Sequence, residues 1–167
     1  MEVTVELIRT LREQTGAGIL ECKQALQAAN GDLDEAGESL RRKGFAQAVK
    51  RADRPTTQGL IEAYIHTGGR VGALVELACE TDFVARVPEF KQLAHEIAMQ
   101  VAAMAPVYLD QGDMESGEGR PAAQVCLLQQ PFIKDNSRAV GEVVHELAAK
   151  VGENVRVVRF ARLALGE

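Results

Sequence analysis

Two His-Glu pairs, His95-Glu96 and His145-Glu146, are the residues whose type and spacing most resemble a catalytic motif. A zinc site of the HExxH type needs a second histidine three residues after the glutamate, so that both imidazoles share one helical face. That position holds Met99 after the first pair and Ala149 after the second. The spacing therefore predicts no metal site and favours histidines on solvated helical faces.

Other catalytic signatures are absent from the sequence. It contains no GxxxxGK[ST], GxGxxG or GxSxG motif, so it predicts neither a phosphate cradle nor a nucleophile elbow. Gly16-Ala17-Gly18 precedes a helical pattern and could offer backbone amides to an anion, but a simple turn is favoured. The expectation is a protein that is not an enzyme and that binds no cofactor.

The three cysteines, Cys22, Cys79 and Cys126, are odd in number and far apart. This spacing predicts neither a disulfide framework nor a CxxC metal pair, and it suits a reducing compartment. Cys22 and Cys79 fall on apolar stripes, which favours small core residues over reactive thiols.

The stretch ETDFVAR, residues 80–86, lies where a strand-like run gives way to a helical pattern. If Asp82 points to solvent or caps a backbone amide, the turn can displace Phe83 toward the same surface. An inward Phe83 would instead anchor the core. Periodicity leaves both orientations open.

Ile19 and Leu20 are adjacent large apolar residues in the first turn of a short helix. A small three-helix core cannot bury both, so one of them is available to a partner, with Lys23 one turn away. A core isoleucine beside an incidentally exposed leucine is an equal alternative.

Composition limits the classes of partner. The formal net charge is -5 and 46% of the residues are hydrophobic, so the chain has enough apolar residues for a core but no general basic field. We therefore expect no direct binding of nucleic acid or of a membrane surface. The N-terminal residues lack a basic segment followed by an apolar one, and no run approaches the roughly 18 apolar residues of a membrane span. The expected location is the cytoplasm.

The elements that position these residues fall into two groups. Residues 1–54 predict three short helices, the first capped by Thr4, the second starting at Ile19 and the third opened by the D-x-x-E capping box of Asp32 and Glu35. A segment at about 50–58 contains a proline and no apolar period, which predicts a linker.

Residues 59–167 predict an α+β core. Ile61, Ala63 and Ile65, a Gly68-Gly69 turn and an alternating run from Val71 to Cys79 form a β-hairpin pattern with one apolar face. Helical stripes follow from Pro88 and from Val140, and a further helix is predicted from near Pro121. The acidic, glycine-rich stretch 110–119 predicts a solvated loop. The last strand, NVRVVRFARLAL, is apolar on both parities, so a partner subunit could cover its second face.

Three stretches together resemble a known family. LIRTLREQTGAGILECKQALQAANGDLDEA (residues 7–36), GALVELACETDFVAR (72–86) and KVGENVRVVRFAR (150–162) are similar to the N-terminal signature, the TDFVA motif and the C-terminal strand of bacterial elongation factor Ts. The resemblance covers nearly the whole chain in order, and the first two motifs are highly specific.

The resemblance implies a fold and a function. It implies an α+β fold with a ubiquitin-associated-like three-helix module at 1–54 and an exchange core with antiparallel sheet at 59–167. The implied activity is guanine-nucleotide exchange on elongation factor Tu, by binding to its GTPase domain. The motif residues Thr81, Asp82, Phe83 and Val84 would contact that partner, with Asp82 and Phe83 intruding as a wedge and Phe83 therefore outward. Ile19, Leu20 and Lys23 would dock the module.

Two departures from the family pattern bear on these expectations. Val87-Pro88 follows the motif where a polar residue is common, so the start of the next helix can differ. The core is short, and short members tend to pair through their cores, which implies a homodimer. The alternatives are a pure binding module, an enzyme, for which the isolated histidines and carboxylates have no supporting spacing, and a relative that binds elongation factor Tu without exchange activity.

Overall fold

The computed structural model describes residues 3–167, so the first two residues of the predicted N-terminal module lie outside it. In chain order the elements are α1 Val5–Thr15, α2 Ile19–Ala28, α3 Leu33–Arg51, β1 Gln58–Ile65, β2 Val71–Cys79, α4 Asp82–Arg86, α5 Pro88–Met104, α6 Ala122–Val125, β3 Pro131–Phe132, β4 Asp135–Ala139, α7 Val140–Val151 and β5 Val155–Ala164. Short 3₁₀ turns span Gln111–Asp113 and Leu127–Gln129. The α+β class with antiparallel sheet is confirmed.

The three N-terminal helices begin at the residues that the sequence indicates, but α3 is 19 residues long and is not the short helix expected. The Thr4 hydroxyl accepts a hydrogen bond from Leu7 N at 3.3 Å, and Asp32 accepts from the amides of Asp34 and Glu35 at 2.9 Å each. Gly16 ends α1 in the left-handed conformation, at φ 69°. These helices share a small core of their own: Leu11, Cys22, Ala25, Leu26, Ala29 and Ala36.

Helix α3 also packs against the rest of the molecule. A β-carbon at Gly44 would lie only 3.0 Å from the Ala149 β-carbon, so α3 and α7 approach closely there. The Phe45 and His145 rings meet edge to face, with centroids 4.9 Å apart. Ala48 belongs to the core of the α+β part. The helix continues to Arg51 and so shortens the predicted linker at its start, while the division into 1–54 and 59–167 stays a prediction.

The main sheet has the strand order β1-β2-β5, with both pairs antiparallel. The register pairs Leu60 with Leu77 and Tyr64 with Ala73 on the face that packs against α5. Ile61 and Ile65 point to the opposite face and are exposed. The expectation of one shared apolar face was therefore wrong, because the register pairs Ile61 with Glu76 and Ile65 with Gly72. These isoleucines lie on the other face of the hairpin from Val75 and Leu77. The hairpin is apolar on both faces.

Helices α5 and α7 and the inner sheet face enclose the main core. Its largest fully buried side chains are Phe90, Leu77, Ile97, Leu127, Val75, Val101 and Val140. The helix predicted from near Pro121 is only one turn, α6. Buried Gln100 and Gln130 hold this region: their side chains bond each other at 3.1 Å, and Gln100 accepts from Ile133 N at 2.7 Å. No helix among residues 3–167 is long and apolar enough to cross a membrane.

Candidate functional site

The TDFVAR turn at the end of β2 presents one large aromatic side chain to solvent. Thr81 caps the single-turn helix α4, and its hydroxyl accepts from Val84 N at 3.5 Å. The Phe83 side chain is 82% exposed, whereas Val84 is 8% exposed and belongs to the main core. Successive helical residues differ by about 100° in direction, so Phe83 can face solvent while its neighbour Val84 packs into the core.

This geometry separates the four motif residues predicted to contact a partner. Phe83 offers apolar surface. Asp82 is half exposed and pairs with Arg86 at 2.7 Å, a surface ion pair that contributes at most about 1 kcal/mol. Thr81 caps the helix start and Val84 packs into the main core, and a partner contact by either residue stays a prediction.

A carboxylate from the connection between α7 and β5 holds this turn in place. Glu153 follows α7, and its Oε2 accepts from the backbone amides of Glu80 at 3.1 Å and Thr81 at 3.0 Å. Its Oε1 accepts from the Thr81 hydroxyl at 2.6 Å. The Cys79 thiol donates to Thr81 O at 3.1 Å. Burial raises the pKa of the Cys79 thiol, as does the charge of Glu153, which keeps the sulfur a protonated donor.

The sequence pattern did not identify Glu153 as part of this site. The available signal was its place directly after Gly152, which ends α7, and before the strand that pairs with β2 at Cys79↔Val155. Only the register shows that these two chain ends meet.

The second predicted contact set lies on α2. Ile19 is 61% exposed and Leu20 is 67% exposed, so neither is in the small N-terminal core. Lys23 is also exposed, one turn further along. Helix α2, which carries this second set, packs into the small N-terminal core, whereas the TDFVAR turn packs into the main core.

A third surface is the outer face of the main sheet. Its exposed apolar side chains come from all three strands: Ile61, Ile65, Leu74 and Leu163, with exposures between 49% and 80%. The register pairs Leu74 of the central strand with Ala63 in β1 and with Ala161 in β5. At one end of the face an ion pair joins Arg159 to Glu76 at 2.7 Å. Exposed apolar side chains gathered on one sheet face are typical of an interaction surface.

The histidines of the two His-Glu pairs take part in side-chain contacts. His95 Nδ1 lies 3.0 Å from Glu62 Oε1, and His145 contacts Phe45. Within residues 3–167 no group of three His, Cys, Asp or Glu side chains is arranged to hold a metal.

Comparison with known proteins gives a consistent result. A family profile described as Elongation factor TS matches residues 10–118. Proteins named Elongation factor Ts from Carboxydothermus hydrogenoformans and Thermotoga maritima are each 45% identical over 195 aligned positions, covering 99% and 100% of this chain and 90% and 98% of theirs. One from Moorella thermoacetica is 44% identical, covering 96% of this chain and 94% of its own length.

The alignment with the Thermotoga maritima protein is longer than the chain described here. All 167 residues are spread over 195 positions, so at least 28 positions of the relative have no counterpart. The match otherwise spans the N-terminal helices, the TDFVAR turn and the final strand. The chain is a member of the elongation factor Ts family.

Proposed function

We propose that this protein is a guanine-nucleotide exchange factor that binds elongation factor Tu in its GDP form and promotes release of GDP. The observation that carries the proposal is Phe83, 82% exposed on a helix whose neighbouring residue is buried, in a member of this family. A hydrophobic side chain held outward by a packed base suits insertion into a second protein. Exchange makes and breaks no covalent bond, so the proposal requires no catalytic group and no cofactor.

In this proposal Phe83 acts as a wedge on the GTPase domain, assisted by Asp82. Burial of one phenylalanine yields about 1.5–3 kcal/mol. A shift of a two-state equilibrium from 1:99 to 99:1 requires about 5.5 kcal/mol of differential binding. Phe83 alone is therefore insufficient, and other contacts must supply binding energy that keeps the wedge inserted.

The exposed residues of α2 are the proposed source of that energy. Ile19 and Leu20 offer adjacent apolar surface, and Lys23 adds a positive charge beside them. Docking there would hold the GTPase domain against the TDFVAR turn. Because coupling between two ligands is reciprocal, the factor and GDP would weaken each other's binding by the same ratio.

We also propose a homodimer formed through the outer sheet face. A two-fold interface uses the same patch on both subunits, and an apolar sheet face is suited to packing against its own copy. The exposed Ile61, Leu74 and Leu163 support this arrangement. The proposed site of action is the cytoplasm, where translation elongation takes place.

The function is tested by following release of a fluorescent GDP analogue from elongation factor Tu in a stopped-flow instrument. A substoichiometric amount of the protein, with excess unlabelled GTP, is expected to accelerate release of the bound analogue, because each molecule of the factor acts on many molecules of elongation factor Tu. Binding to elongation factor Tu without acceleration would identify a binding module or an exchange-deficient relative and would overturn the proposal.

A further inference from the structure

Two of the three residues between α7 and β5, Glu153 and Asn154, contact both parts of the molecule that the proposed function requires. The Glu153 side chain reaches the TDFVAR turn, and the Asn154 side chain reaches the end of the N-terminal helices. Neither contact belongs to the sheet ladder.

Glu153 acts on the turn that carries Phe83. Its carboxylate accepts three hydrogen bonds, from Glu80 N, Thr81 N and the Thr81 hydroxyl, and the same hydroxyl accepts from Val84 N. A continuous chain of bonds thus runs from the Glu153 carboxylate to the backbone of α4. Hydrogen bonds to an ionised acceptor are about twice as strong as neutral ones, so this chain restricts the direction of the helix.

Asn154 acts on the segment that leaves α3. Its side-chain Nδ2 donates to Ala52 O at 2.9 Å and Arg54 O at 2.8 Å. The Asn154 side chain is almost completely buried, so both bonds form away from solvent. Its backbone amide donates to Glu80 Oε1 at 2.7 Å, which ties the same residue to the TDFVAR turn.

These bonds are not needed to pair the strands. The β2–β5 ladder ends at Cys79↔Val155, and its own backbone bonds hold the strands up to that point. The bonds of Glu153 fall on the next two residues, 80 and 81, where the chain has already left the sheet. Their effect is therefore directed at the orientation of α4.

We infer that the Glu153-Asn154 turn is a positioning element that sets the direction of Phe83 relative to the docking surface on the N-terminal helices. The inference rests on the proposed exchange function and adds residues that do not touch the partner. Glu153 holds the wedge, Asn154 holds the end of α3, and Glu80 links them.

The test measures GDP release from elongation factor Tu over a concentration series of factor, which separates the maximal rate from the half-saturating concentration. Glu153→Ala is expected to lower the maximal rate about tenfold, and Glu153→Gln, which keeps one acceptor oxygen, is expected to restore part of it. Asn154→Ala is expected chiefly to raise the half-saturating concentration.

A double-mutant cycle separates positioning from general damage. In a Phe83→Ala background, Glu153→Ala is expected to change the maximal rate by less than about twofold, because the group that it positions is gone. Glu142→Ala is the matched control: Glu142 accepts from Ala139 N at 2.8 Å at the start of α7, the end of that helix opposite to Glu153. It should leave the maximal rate unchanged.

Each remaining outcome has a definite meaning. Suppose that the wild type accelerates GDP release from elongation factor Tu. If Glu153→Ala then gives the same maximal rate as the wild type, or lowers that rate by the same factor with Phe83 present and with Phe83→Ala, the inference is overturned and the exchange function stands. An equal loss in Glu142→Ala would also overturn it, since that would trace the effect to stability. If the wild type itself does not accelerate release, the proposed function falls and this inference falls with it.

Discussion

At the scale of single residues, Phe83 and Val84 show how adjacent apolar side chains take different roles. Val84 packs with the main core and fixes α4, while Phe83 is 82% exposed. Exposing a phenylalanine forgoes roughly 1.5–3 kcal/mol of burial. The partner recovers that energy in the proposed complex, so the same exposure that lowers the stability of the free protein contributes to binding.

A second residue-scale feature is the carboxylate of Glu118 in the acidic loop. Side-chain hydrogen bonds from Arg120 at 2.7 and 2.9 Å, with a backbone bond from the same residue, lower the pKa of Glu118 to about 2. The Tyr108 hydroxyl adds a weaker bond. The pKa is lowered on folding, so the contribution to stability is present above the ordinary glutamate pKa of about 4.3 and disappears as the pH falls through about 2.

We predict that a carbon-detected NMR titration will find Glu118 ionised down to a pH of about 2. Arg120→Ala should move the pKa of Glu118 upward toward the ordinary glutamate value, because it removes the side-chain bonds that favour the carboxylate. A Glu118 that titrates with an ordinary pKa in the wild type would contradict this account of the loop.

At the scale of elements, the contact between α3 and α7 depends on one glycine. A β-carbon at Gly44 would lie 3.0 Å from the Ala149 β-carbon, whereas one at Gly37, in the same helix, would lie 3.8 Å from Leu11 Cδ1. The first distance requires the helices to separate, and the second is an ordinary contact. The two positions therefore allow a crowded and an uncrowded glycine to be compared within one helix.

We predict opposite effects of substitution at these glycines on the free energy of unfolding in urea. Gly44→Val should lower it by about 1–3 kcal/mol through overpacking. Gly37→Ala should raise it by about 0.5–1 kcal/mol, since alanine loses less backbone entropy than glycine in a helix. A Gly44→Val protein as stable as the wild type would show that α3 is not closely packed on α7.

Most helices and strands could be predicted from the sequence, but which side of each element faces solvent was harder to predict. The caps at Thr4 and Asp32 and the stripe of α5 give local signals, and the structure has those helices. The solvent-facing side of β1 required the strand register, which is a long-range property. For the same reason, a local sequence pattern could not predict the hydrogen bonds between Glu153 and residues 80 and 81, since 72 residues separate Glu153 from Thr81.

At the scale of the whole molecule, the proposed dimer and the proposed docking surface lie on different elements and should be separable. Leu163→Asp places a charge on the outer sheet face, on the edge strand β5, where the leucine is 80% exposed in one chain. We predict that light scattering will find the wild type at twice the mass of one chain and this variant at the mass of a single chain.

The reciprocal variant is Ile19→Ala with Leu20→Ala. It should keep the mass of the dimer and weaken complex formation with elongation factor Tu, because it removes apolar docking surface and leaves Phe83 in place. Unchanged affinity would remove the docking role from α2. A wild type that is a single chain at micromolar concentration would remove the dimer.

The central claim is that Phe83 drives GDP release, and the most direct measurement compares Phe83→Ala with the wild type at saturating factor concentration. The matched control is Val107→Ala, an apolar residue 52% exposed outside the three surfaces described. We predict that release from elongation factor Tu will be at least about tenfold slower with Phe83→Ala, from the loss of its burial energy, and unchanged with Val107→Ala. Equal acceleration by Phe83→Ala and the wild type would contradict the wedge.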